Sequence, residues 1–124
     1  MTAPGYDTPG LAACLEGLSP HALDGLDFAA IRVDGAGVVR ALNRAAAALP
    51  GIRGDGAIGR SFYDEVAPWL AGAEVRGRIA RALERGALDL ELGRGAGLSD
   101  PLHGLRARMQ PAGGSGFWLF LARL

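Results

Sequence analysis

Lysine is absent from this 124-residue chain, cysteine occurs once, histidine twice, and aromatic residues make up only 6%. The 13 basic residues are therefore all arginine, a bias that points to genome composition rather than to function. They are matched by 13 acidic residues, for a formal net charge of zero. With no net field to recruit polyanions, neither nucleic acid nor a membrane surface is an expected partner. The lone Cys14 excludes an intramolecular disulfide and any multi-cysteine zinc site. No apolar run approaches the roughly 20 residues that span a bilayer. Residues 1–7 lack the basic and apolar regions of a secretory signal, so the expected location is the cytoplasm.

What the chain has in quantity is glycine, 20 residues, with seven prolines and 49% hydrophobic residues. The glycines and prolines punctuate periodic segments and form no low-complexity tract. The length suits one domain with one core. Residues 1–25 read as an N-terminal cap and 26–124 as the core of that domain.

Leu11, Cys14, Leu15 and Leu18 recur at helical spacing, so a short amphipathic helix is expected near 9–17, with Cys14 on its apolar side as a small core residue. Ser19-Pro20 supplies an N-cap and a first-turn proline for a second short helix through Leu23. A hairpin follows: strand 28–33, turn Asp34-Gly35-Ala36-Gly37, and return strand 38–42. Asn43 is placed to cap a helix over 44–49 that Pro50-Gly51 ends. The glycines at 51, 54, 56 and 59 are not a phosphate loop, because no Gly-Lys-Ser/Thr follows them. A short helix is expected over 61–66. The longest helix, 73–86, carries Val75, Ile79, Ala82 and Leu83 on one face. Its arginines lie mostly away from that face and read as a solvated surface, since a neutral chain without a helix-turn-helix partner is a poor DNA reader.

Three strands close the chain. Leu88, Leu90 and Leu92 alternate with Asp89 and Glu91; Leu105, Ala107 and Met109 alternate with Arg106, Arg108 and Gln110. Their opposite charges suit neighbouring antiparallel strands. Residues 117–121 are apolar on both faces, so that strand belongs in the centre, covered on each side. The expected fold is α/β in the α+β sense: a five-stranded antiparallel sheet with helices on one face and the N-terminal helical cap on the other.

This order is that of a PAS domain, and the residues resemble one PAS family in particular. Leu23-Asp24-Gly25-Leu26-Asp27-Phe28, Ala30-Ile31, Asp34-Gly35 and Asn43 are similar to the first hairpin of photoactive yellow protein, a bacterial blue-light sensor. Ile58-Gly59, Phe62, Val66-Ala67-Pro68, Glu74, Gly77 and Gly86 continue the match, and Trp118-Leu119-Phe120 resembles the last strand. The resemblance spans about residues 20–124, with one deletion near 93–99.

The family's functional positions depart from the pattern together. The resemblance puts the two acids that hold the phenolate on Leu42 and Ala46, a neighbouring threonine on Pro50, and an arginine on Ile52, with Arg53 adjacent. The chromophore-bearing cysteine falls on Trp69, whose indole cannot form a thioester. The expected cofactor is therefore none, with no covalent p-coumaroyl group. A buried phenolate and its donors each need the other, because an unpaired partner costs about 1–3 kcal/mol or more. Losing the whole set at once leaves an apolar interior, with an expected lining of Ile31, Leu42, Ala46, Pro50, Ile52, Phe62, Val66, Trp69 and Leu98.

Two arrangements of Trp69 stand open. Turned inward, its indole fills the volume of the lost ring, and the domain works by protein contact. Turned outward or along a wall, it leaves a cavity for a small hydrophobic or aromatic ligand. The expected partners are such a ligand, and a protein partner or a second copy, since the chain shows no kinase, cyclase or DNA-binding output segment. Haem has only His21 in the cap and His103 beside Gly104 to offer, and both read as surface or capping residues. No metal site and no catalytic residue is expected. Asp64 and Glu65 diverge as neighbours on a helix, and Asp100 and His103 lack a nucleophile to join them. The alternative function is a small enzyme or carrier for a hydrophobic or aromatic metabolite.

Overall fold

The computed structural model describes residues 5, 8–49, 56–66, 90–92, 105–113 and 116–123, and the helical positions 77, 80, 81 and 84; for 90–92, 105–107 and 123 it describes the backbone. Two short helices, α1 (Leu11–Glu16) and α2 (Pro20–Asp24), precede a hairpin of β1 (Ala29–Val33) and β2 (Val39–Leu42). Helix α3 (Arg44–Ala47) and a single π-helical turn (Phe62–Val66) follow, then β3 (Leu90–Leu92), β4 (Leu105–Pro111) and β5 (Phe117–Arg123). All strand pairs are antiparallel, in the spatial order β2-β1-β5-β4-β3. Of the expected helix over 73–86, Gly77, Ala80, Arg81 and Glu84 are helical; the rest lies outside the described residues.

The uniformly apolar β5 is central, as its composition requires. Phe117, Leu119 and Leu121 face one core with Ala29, Ile31 and Val33 of β1, Met109 of β4, Ala46 of α3, and Phe62 and Val66 of the π-helical turn. Trp118 and Phe120 face a second core with Leu26, Phe28, Ala30 and the cap residues Leu11, Leu15 and Leu23. Alternation along a strand thus serves two layers at once. The register of β3 and β4 sets Glu91 opposite Arg108, in keeping with their opposite charges.

Local signals act at the expected ends. Ser19 Oγ accepts from the Ala22 N–H and Asn43 Oδ1 from the Ala46 N–H, capping α2 and α3. In the hairpin turn Asp34 Oδ1 accepts from the N–H groups of Ala36 and Val38, and Gly37 adopts φ 82°, a conformation that glycine reaches without a Cβ clash. Two differences from the pattern matter. Val38 leaves the strand for an isolated bridge to Ser61, and Arg40 is an extra residue: Val33 pairs with Val39, while Arg32 pairs with Ala41. That bulge lets both Val39 and Leu42 turn to the helix-side core, which strict alternation would forbid. The helices are shorter than expected, α1 being six residues and α3 four. Cys14, expected in the core, is exposed, because the buried face of so short a helix is Leu11, Ala12 and Leu15.

Candidate functional site

Five of the residues expected to line the interior come together. Ile31 from β1, Ala46 from α3, and Phe62 and Val66 from the π-helical turn are all buried in the helix-side core, and Leu42 at the end of β2 packs partly buried against it. Pro50, Ile52, Trp69 and Leu98 lie outside the described residues, as do Asp100 and His103. Ala46 is fully inaccessible, and among the described residues it shares this core with the buried side chains of Ile31, Val39, Phe62 and Val66. Phe62 is its aromatic centre: its ring meets Phe117 edge-on at 5.7 Å and Tyr63 at 5.1 Å. Tyr63, Ala45 and Leu49 are partly buried on the same core and did not stand out in the sequence. Their signal was spacing: Tyr63 neighbours Phe62, and Ala45 and Leu49 are one helical turn apart.

Beside this interior lies Asn43, only 1% exposed. Its Oδ1 accepts from the N–H groups of Ala30 (2.9 Å) and Ala46 (3.0 Å), while Nδ2 donates to the carbonyls of Leu23 and Phe28, both at 2.9 Å. One amide thus joins α2, β1 and α3, using both of its donors and both acceptor directions. Sequence reasoning found the cap role and missed the three further bonds. Asp24 Oδ1 adds a 2.7 Å bond from the Arg44 N–H between α2 and α3.

The opposite layer is fastened by polar contacts around Trp118. Glu16 Oε1 accepts from the Trp118 indole N–H at 2.8 Å and from the Gly113 N–H at 2.9 Å, and lies 3.4 Å from Arg32 Nε. Arg32 also donates to the Gly113 carbonyl, and Gln110, buried in β4, accepts from the Ala12 N–H at 2.8 Å. Partial burial pushes the Glu16 carboxyl up, but Gly113, Trp118 and the Arg32 guanidinium together outweigh it and hold it below the ordinary glutamate value of 4.5. Cys14 sits on α1, so the chain's one thiol is on the cap side of the sheet, away from Leu42 and Ala46.

The acidic pair on the π-helical turn has a structural role. Asp64 accepts from the Ser61 hydroxyl, and Glu65 takes the Ser61 N–H and pairs with Arg60 at 3.2 Å. Among the described residues no group of His, Cys, Asp and Glu is placed to hold a metal ion. No helix among them is long and apolar enough to cross a membrane.

The strand order 2-1-5-4-3, with helices on one face and a cap on the other, agrees with the comparison to known proteins. A family model described as the PAS fold matches residues 23–94, more than half of the chain, and the chain belongs to the PAS family. Within that family it is photoactive yellow protein-like. The photoactive yellow protein domain from the sensor histidine kinase Ppr from Rhodospirillum centenum is 32% identical to it, with a TM-score of 0.73. That match covers 88% of this chain and 96% of the other. Among curated proteins, none matches. Membership of this group gives the domain a sensory or regulatory role.

Proposed function

We propose that this domain senses a small, neutral hydrophobic or aromatic ligand in its helix-side interior and works without a covalent p-coumaroyl chromophore. The observation that carries the reading is the setting of Leu42 and Ala46. The resemblance puts the acids that hold the family's phenolate on these two positions, and here Ala46 is buried in the helix-side core with Leu42 packed partly buried against it. A charged ligand oxygen placed there would lose its hydration with no donor from those residues to replace it, a penalty of several kcal/mol. A thioester needs a thiol on the same side, and Cys14 is exposed on the cap. Neither Leu42 nor Ala46 carries a side-chain donor for a p-coumaroyl phenolate. They suit a ligand recognised by shape and by aromatic contact with Phe62 and Phe117.

Complete burial of Ile31, Ala46 and Phe62 favours a second reading, in which the interior is filled and the domain signals by protein contact alone. Native mass spectrometry of the purified protein separates the two. The ligand reading expects an added mass that denaturation releases, or saturable uptake of a neutral aromatic probe such as indole, weakened by Ala46→Met. A bare chain mass together with no indole uptake would leave the filled interior as the better account. Output in either case passes to a protein partner or a second copy, by analogy with a relative that is a domain of a sensor kinase.

A further inference from the structure

We draw no further inference here: the strongest candidate, the Glu16–Arg32–Trp118 cluster joining α1 to β1 and β5, is accounted for as the attachment of the cap already described, and nothing among the described residues points to a ligand or partner that acts on it.

Discussion

Replacing Asn43 by alanine tests whether one buried amide holds the cap, the first strand and α3 in register. The substitution removes four hydrogen bonds: those from the N–H groups of Ala30 and Ala46, which lose their side-chain acceptor, and those to the carbonyls of Leu23 and Phe28. Those four residues are at most 7% exposed, so bulk water does not readily replace the lost partners. At about 1 kcal/mol for each neutral bond, the loss comes to about 4 kcal/mol, the N-cap of α3 included. A domain of this size is stable by about 5–15 kcal/mol, so the variant forfeits a large share of its stability. Urea unfolding followed by far-ultraviolet circular dichroism measures it. Asn43→Asp is the discriminating companion. It keeps an acceptor for the two N–H groups but turns a carboxylate toward two carbonyls, so its carboxyl is raised above the unfolded value. Its deficit is then greatest at neutral pH and shrinks as pH falls through the raised folded value. An Asn43→Ala loss under about 1 kcal/mol with an unchanged denaturant slope would refute the reasoning.

Three further outcomes are expected. Gly116 has φ 82°, and a Cβ there would lie 1.9 Å from the Val33 carbonyl oxygen, so Gly116→Ala prevents β5 from closing on β1 and lowers the thermal midpoint steeply. The Glu16 carboxyl is held below its ordinary value, so its contribution is complete above the unfolded value of about 4.5 and is lost as pH falls through the lower folded value. Urea midpoints between pH 7 and pH 3 should therefore fall more steeply in the native protein than in Glu16→Gln. Ala46→Glu buries an unpaired carboxyl whose folded value is raised; the variant is destabilised at neutral pH and recovers on acidification, as thermal melts at pH 4 and pH 7 would show.

The sheet was legible because its strands carry their environment in their composition. Residues 117–121 are apolar on both faces and sit between two cores, and Ser19 and Asn43 cap the helices they precede. The misses have physical causes. The bulge at Arg40 carries no local signal in the strand read over 38–42, and it lets Leu42 join Val39 on the interior side, where the resemblance put it. Helical spacing put Cys14 with the leucines, but a six-residue helix buries only a narrow stripe, and Gly17 ends it before a second turn is complete. The bonds of Asn43 beyond its cap, and the convergence of Arg32, Gly113 and Trp118 on Glu16, join segments up to 102 residues apart. Local pattern holds no record of such pairings. Ile31, Leu42, Ala46, Phe62 and Val66 were grouped through the family resemblance, and the packing of the helix-side core brings those five together.

The central claim is an apolar interior with no covalent chromophore. Incubation of the purified protein with the activated imidazole amide of p-coumaric acid, followed by intact mass and absorption spectra, tests it most directly. The account predicts no modification other than acylation of the exposed Cys14, abolished by Cys14→Ser, with the spectrum of a solvent-exposed thioester. A covalent adduct that persists in Cys14→Ser, with a red-shifted visible band from a buried phenolate, would contradict it.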